Sequence, residues 1–104
     1  MSAMYHPYHP LPAYQTFAGQ FEARYNRQPG LGASHTYEAV LVLAEALKYT
    51  GGQAEGLPEA LAQINKFPGV QGLISFNEYG DVVREVYIVR VKNGRFEVVN
   101  TILP

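Results

Sequence analysis

The chain has 104 residues, a formal net charge of −1 at neutral pH and no cysteine. This length allows one domain or part of one, and a hydrophobic content of 47% is typical of a folded protein. A near-neutral charge gives no basic surface for nucleic acid or acidic lipid. The lack of cysteine excludes disulfides, thiolate nucleophiles and thiolate metal ligands from this chain.

The first twelve residues, MSAMYHPYHPLP, contain three prolines. Proline fixes its own φ and keeps the residue before it extended, so the stretch is predicted to be extended or polyproline-like. It has neither the basic start nor the apolar run of a signal peptide, and no apolar run in the chain approaches about 18 residues. We therefore expect no signal peptide in this sequence and no membrane span.

The spacing of the apolar residues predicts three helices. The first begins at Pro12, a residue suited to a first helical turn, and ends at the loop NRQPGLG. The second is predicted to be capped by Ser34 and to end at Gly51. The third begins near Pro58 and is closed by Pro68-Gly69.

The second helix, TYEAVLVLAEALKY, is apolar on nearly every side. A helix with this pattern is expected to be buried on most of its surface. Only Glu38, Glu45 and Lys48 are predicted to mark an edge that faces water.

Strands are predicted after the third helix, at Gly72–Phe76 and Val82–Val91, with a turn at Asn77–Asp81. Asn93-Gly94 is typical of the two-residue type I′ loop of a β-hairpin. The resulting fold class is α/β, with three helices followed by a short strand and a C-terminal β-hairpin. The hairpin loop sets a register with the pairs Lys92–Arg95, Val91–Phe96, Arg90–Glu97, Val89–Val98 and Ile88–Val99.

Patterns that would support catalysis or metal binding are sparse. His6 and His9 have a spacing that would bring two imidazoles together on a helix, but a proline after each histidine forbids that helix. Ser34 and His35 are adjacent and do not form a nucleophile–base pair. The acidic turn around Gly80 lacks a full set of cation ligands. We therefore expect no catalytic residue, no metal and no cofactor, and the chain is not predicted to be an enzyme.

Three blocks of sequence resemble one known family. The run YEAVLVLAEALKYTGG is similar to a helix with the pattern YDAV–LLA–AL–AG in the type I periplasmic substrate-binding proteins, the leucine/isoleucine/valine-binding group of ABC transporters. The run FPGVQGLISFNEYGDVVREVYIVRVKNGRF resembles the closing block of that family, with its F-x-G-V-x-G and I-S-F-(D/N)-x-x-G-D patterns. FEARYNRQPG fits the family's pattern at the end of the first helix. The resemblance extends from roughly Tyr5 to Val99.

The resemblance implies that residues 1–104 form a single partial domain, equivalent to the C-terminal part of a two-lobed protein. A complete protein of this kind would lie in the periplasm or otherwise outside the cytoplasm, bind an amino-acid or amide ligand, and work with a membrane permease. The main ligand-anchoring loops of the family lie upstream of the matched part, so this chain alone is expected to bind ligand weakly or not at all.

Carried over by position, only the segment before the first helix would approach the ligand cleft. Its residues Tyr5, His6 and Tyr8 are expected to stack their rings on the side chain of the ligand. An ordinary hinge strand without ligand contact is the other interpretation of this segment.

The alternative hypothesis for the whole chain is a free-standing interaction module with the same partial fold. It is motivated by the second helix, because 104 residues cannot easily cover a helix that is apolar on nearly every side. Exposure of several Leu and Val side chains costs about 1.5–3 kcal/mol each. Self-association of the isolated chain is therefore expected.

Overall fold

The computed structural model describes all 104 residues as three helices and six strands. None of the helices combines the length and the apolar character that a bilayer crossing requires. In chain order the elements are β1 (Ser2–Ala3), α1 (Pro12–Tyr25), α2 (Leu31–Thr50), α3 (Leu57–Ala62), β2 (Phe67–Gly69), β3 (Gly72–Phe76), β4 (Val82–Val83), β5 (Val86–Lys92) and β6 (Arg95–Ile102).

The strands form two antiparallel sheets of three strands each, with the orders β1-β5-β6 and β2-β3-β4. Together with the three helices they confirm the predicted α/β class. The β1 strand was not predicted, and it pairs Ser2 with Ile88 at the edge of β5.

The helix ends agree with the prediction except at the start of α2 and at the end of α3, which stops at Ala62, well before Pro68. This helix begins at Leu31, and Gly30 occupies the N-cap position. Ser34 therefore lies inside the first turn, where its N–H donates to the Gly30 carbonyl at 3.0 Å. The Ser34 side chain is fully buried and its hydroxyl has no hydrogen-bond partner. The predicted N-cap at Ser34 is wrong, because backbone bonds from the preceding loop already start the helix.

The prediction that α2 is buried on most sides is also wrong for this chain. Val40 is 61% exposed, whereas Glu38, which was predicted to face water, is only 2% exposed. The helix turns a single fully buried stripe toward the interior, and part of its remaining apolar surface, including Val40 and Leu43, is exposed. The buried side chains of α2 recur at four-residue spacing: Ser34, Glu38, Val42 and Ala46.

The single strand predicted at Val82–Val91 is two strands in different sheets. β4 pairs with β3, whereas β5 pairs with β1 and β6. The chain leaves one sheet and enters the other at Arg84 and Glu85. Arg84 is buried against Glu38 at this point, so its side chain interrupts the alternation that a continuous strand requires.

Pro68 and Gly69 were predicted to close the third helix but belong to β2. This strand lies at the edge of its sheet, where a proline without an N–H is tolerated. The reversal of the chain follows at Val70 and Gln71, and Gly72 then adopts a φ of 101°, which favours glycine.

The hairpin register is confirmed for the four pairs nearest the loop. Asn93 and Gly94 have φ values of 53° and 74°, as a type I′ loop requires. The fifth predicted pair is wrong, because Ile88 pairs with Asn100 instead of Val99. An irregularity between Ile88 and Val89 shifts the register by one residue, as a β-bulge does.

A buried ion pair joins α2 to the segment between the two sheets. The Arg84 guanidinium donates from Nη2 to both carboxylate oxygens of Glu38, at 2.9 and 3.1 Å. The backbone N–H of Gln71 donates to Glu38 Oε2 at 3.0 Å. Removing a carboxylate from water costs several kcal/mol unless it is paired and hydrogen-bonded. Glu38 is therefore the point where α2, the β2–β3 turn and the Arg84 segment are tied together.

Because Gly69 has no side chain, the Glu38 carboxylate can lie directly against its backbone. The substitution Gly69→Ala tests this close contact. A Cβ at this position would overlap Glu38 Oε2 and lie 2.8 Å from Ile74 Cδ1. We expect Gly69→Ala to lower the free energy of unfolding by about 1–3 kcal/mol, because the neighbours must shift. Urea unfolding followed by circular dichroism measures the change.

Gly19→Ala is the matched control, because a Cβ at Gly19 in α1 meets nothing within 4 Å. It should raise the free energy of unfolding by roughly 0.5–1 kcal/mol, since alanine is the better helix former. Equal effects of the two substitutions would contradict the close packing at Gly69.

Candidate functional site

The segment between β1 and α1 carries the predicted ligand residues and lies against β5. Its start is fixed by the β1–β5 pairing and by the Val89 N–H, which donates to the Met1 carbonyl at 2.8 Å. The segment has no regular secondary structure and contains a bend at Met4 and a turn at Pro7 and Tyr8. It leads directly into Pro12, the first residue of α1.

Each of two histidines in this segment accepts a hydrogen bond from a backbone N–H two residues later. Tyr8 N–H donates to His6 Nδ1 at 3.1 Å, and Leu11 N–H donates to His9 Nδ1 at 3.2 Å. A ring nitrogen can accept such a bond only while it carries no proton. Both bonds therefore hold the imidazoles in their neutral form with the proton on Nε2.

The imidazoles of His6 and His9 lie close together although the segment that carries them is not a helix. Their ring centroids lie 5.4 Å apart, and both rings pack edge-on against Tyr87, at 5.3 and 6.0 Å. His9 Nε2 is 3.9 Å from Glu85 Oε2. The arrangement does not bring three side chains into the geometry of a metal site.

Burial lowers the pKa of both histidines below its ordinary value of 6.5. For His6 the neighbouring His9 lowers the pKa further, while Glu85 raises it. For His9 the carboxylates of Glu85 and Glu38 raise the pKa, but desolvation outweighs them. Burial also raises the pKa of Tyr87 well above its usual range, so its hydroxyl stays protonated and donates to Glu85 Oε2 at 2.9 Å or to the Gln71 carbonyl at 3.1 Å.

Gln71 binds the main chain of this segment from the β2–β3 turn. The His6 N–H donates to Gln71 Oε1 at 2.8 Å, and Gln71 Nε2 donates to the His6 carbonyl at 3.0 Å. Gln71 is fully buried. Sequence reasoning missed this residue, and the only signal was its position within the FPGVQG block.

The structure separates the three residues that were predicted to contact ligand. Tyr5 turns toward α1, where its hydroxyl lies 2.8 Å from the Tyr14 hydroxyl and donates to the Pro29 carbonyl at 2.8 Å. His6 and Tyr8 instead line an open depression of about 610 Å³ between the segment and the tip of the hairpin. Tyr8 is 67% exposed there.

The hairpin side of this depression combines positive charge with an aromatic ring. Lys92 and Arg95 flank the turn, with Phe96 and Glu97 beside them. The depression can therefore offer aromatic faces from the segment and cationic groups from the hairpin. The sequence showed both basic residues, but only as a pair facing each other across the loop.

The sequence matches the family model for periplasmic binding proteins over residues 1–95. The chain belongs to the periplasmic binding protein family. Members of this family are substrate-binding proteins of ABC transporters, they act outside the cytoplasm, and they are not enzymes. The resemblance found in the three sequence blocks is thereby confirmed.

Solved structures of periplasmic binding proteins match nearly the whole chain. The leucine-binding protein LivK from Thermotoga maritima is 28% identical, with a TM-score of 0.83, and the match covers 99% of this chain and 30% of that protein. An ABC transporter substrate-binding protein from Desulfitobacterium hafniense, in complex with Leu, is 30% identical, with a TM-score of 0.85 and coverage of 94% and 30%.

The branched-chain amino acid binding protein LivJ from Streptococcus pneumoniae, in complex with isoleucine, shares the fold at 24% identity. Its TM-score is 0.82, and the match covers 99% of this chain and 30% of that protein. The chain thus spans about 30% of the length of the solved relatives that it matches. A comparison with curated proteins gives no match.

Because of the buried pair His6 and His9, we expect the free energy of unfolding of this periplasmic binding protein chain to fall in mild acid. A histidine whose pKa is lowered by folding binds its proton more readily in the unfolded chain. The free energy of unfolding should therefore be at its full value above about pH 7 and should fall as the pH drops below about 6.5, the pKa of an unfolded histidine. Urea unfolding across a pH series measures this slope.

His9→Gln is expected to flatten the slope, because it removes one of the two buried imidazoles. His35→Gln retains both of them and should retain the slope. A slope that is the same in the wild type and in His9→Gln would show that the buried pair is not its source.

Proposed function

We propose that residues 1–104 form a partial domain equivalent to the C-terminal part of an ABC-transporter solute-binding protein. Its ligand would be a branched-chain amino acid or a related amino-acid or amide compound, which the complete protein would deliver to a membrane permease from outside the cytoplasm. The observation that carries the proposal is the match of nearly the whole chain to a leucine-binding protein and to a relative solved with Leu.

The surface of the chain supports the proposal of a partial domain. The radius of gyration is 15.2 Å, whereas a compact domain of 100 residues has about 13 Å. Large apolar side chains are exposed on α2 and on the hairpin, with Val40 and Val91 each 61% exposed and Phe96 53% exposed. In the complete protein these faces would pack against the remainder of the two lobes. In the isolated chain they favour self-association.

The depression between the segment and the hairpin is the proposed ligand-contacting surface. His6 and Tyr8 would stack on the side chain of the ligand, and Tyr5 would hold the start of the segment through its bonds to Tyr14 and Pro29. Burial of a leucine or isoleucine side chain against these rings contributes about 1.5–3 kcal/mol. This gain falls far short of the roughly 8 kcal/mol of a micromolar complex. The isolated chain should therefore bind its ligand only weakly.

Nuclear magnetic resonance of the isolated chain with leucine or isoleucine tests this proposal. We expect small shifts of the His6 and Tyr8 amide signals that do not saturate below about 1 mM ligand. Tyr8→Ala should abolish the shift at His6. Tyr79→Ala is the control, because Tyr79 is 80% exposed in the β3–β4 turn and lies outside the depression.

Two results would contradict the proposal. Micromolar affinity in isothermal titration would show that the isolated chain contains a sufficient site. Shifts that leave His6 and Tyr8 unchanged would remove the segment from the ligand surface. Sedimentation velocity at tens of micromolar checks the accompanying self-association, and a monomer at that concentration would contradict it.

A further inference from the structure

The side chain of Gln71 makes the two hydrogen bonds to the His6 main chain that a neighbouring β-strand would make. Its side-chain oxygen accepts from the His6 N–H, and its side-chain nitrogen donates to the His6 carbonyl. The two residues are 65 positions apart in sequence. A single amide thus supplies both hydrogen bonds that a sheet would otherwise give to this residue.

We propose that Gln71 is the positioning residue of the ligand-contacting segment. This inference rests on the proposed function, because it assumes that His6 and Tyr8 touch the ligand. Gln71 itself does not line the depression and would act through the main chain of His6. The proposal assigns to the β2–β3 turn a role in ligand binding that is separate from its role in the fold.

The backbone of Gln71 is held at both of its polar groups. Its N–H donates to Glu38 Oε2 at 3.0 Å. Its carbonyl lies 3.1 Å from the Tyr87 hydroxyl, which donates either to it or to Glu85 Oε2, and accepts from Arg84 Nη2 at 3.5 Å. Arg84 in turn fixes the Glu38 carboxylate. The side-chain amide therefore projects from a fixed base, and its orientation is set before any ligand arrives.

The segment needs such a support because only two of its other main-chain groups bond to side chains outside it, the Met4 carbonyl to His35 and the Pro7 carbonyl to Tyr14. β1 ends at Ala3 and α1 begins at Pro12, so regular structure supplies no partner for the residues between them. Ordering one backbone residue costs about 1–2 kcal/mol. If that cost is already met in the free protein, it no longer opposes ligand binding. Gln71 fixes the main chain of His6 before ligand binds. The His6 Nδ1 atom in turn accepts from the Tyr8 N–H and so fixes the backbone of Tyr8.

Gln71→Met removes both hydrogen bonds and keeps the approximate length of the side chain. The protection factor of the His6 amide in hydrogen exchange should fall about tenfold or more, which is the scale of one lost hydrogen bond. The Val89 amide, which bonds to Met1, should keep its protection. The leucine-induced shift of the Tyr8 signal should shrink. Gln53→Met, at an exposed glutamine beyond the end of α2, should change none of these values.

Gln71→Glu separates positioning from simple packing. A protonated carboxyl can accept and donate like the amide, whereas a carboxylate can only accept. Burial raises the pKa of a carboxyl, so the introduced group should change its charge at a pH above its usual value of about 4.3. Both forms of the carboxyl accept from the His6 N–H, so His6 protection should stay near the wild-type value across the pH range, unlike in Gln71→Met; only the bond to the His6 carbonyl is lost above that pKa. The titratable and charged groups around this position are His6, Glu38, Arg84, Glu85 and Tyr87, and the wild type followed over the same pH range corrects for their own titration.

Four outcomes decide the proposal. Loss of His6 protection together with a smaller leucine shift in Gln71→Met, and retained His6 protection in Gln71→Glu, would support it. Unchanged His6 protection in Gln71→Met would overturn it, as would lost protection with an unchanged leucine shift. If wild-type Tyr8 shows no leucine shift at all, the proposed function fails and the positioning role fails with it, even where the two hydrogen bonds themselves are verified.

Discussion

The buried carboxylate of Glu38 is the constraint on which the rest of the structure depends. A carboxylate that loses water must recover the interaction within the protein, and Glu38 does so through Arg84 and the Gln71 N–H. Arg84 therefore leaves the strand pattern and separates β4 from β5. Gly69 must lack a side chain, because a Cβ there would overlap the carboxylate. One charged group thus determines features of three separate elements.

Polar interactions hold the elements of this chain together because its apolar core is small. Two clusters of three buried residues each, around Phe17 and Ile74, provide the hydrophobic interior. The largest fully buried side chains all carry polar groups, and three of them, Tyr87, Gln71 and Glu38, are hydrogen-bonded into one network. Through the side chain of Gln71 this network reaches His6. The residue that anchors the fold is therefore connected to the surface proposed to meet the ligand.

The parts of the fold that could be predicted from the sequence are those set by local patterns. Pro12 and Gly51 mark helix ends, and Asn93-Gly94 alone sets the hairpin register as far as the bulge. The ion pair could not be predicted, because its partners are 46 residues apart and each has a common surface role. A glutamate on a helix and an arginine in a strand each suggest a side chain that faces water. In the candidate site, the family resemblance alone suggested His6 and Tyr8 as ligand-contacting residues. Neither Gln71 nor the cationic tip of the hairpin has a local sequence pattern that indicates its role.

The most direct test of this account is the hydrogen exchange of the His6 amide in Glu38→Gln, with Glu45→Gln as the control. Both glutamates lie on α2, but Glu45 pairs with Lys48 at 3.1 Å on an exposed side. Glu38 makes no hydrogen bond to His6, and the hydrogen-bonded route between them runs through Gln71. The account predicts that Glu38→Gln lowers His6 protection more than the protection of the β5–β6 hairpin amides, and that Glu45→Gln changes neither. His6 protection that stays at the wild-type value in Glu38→Gln would contradict it.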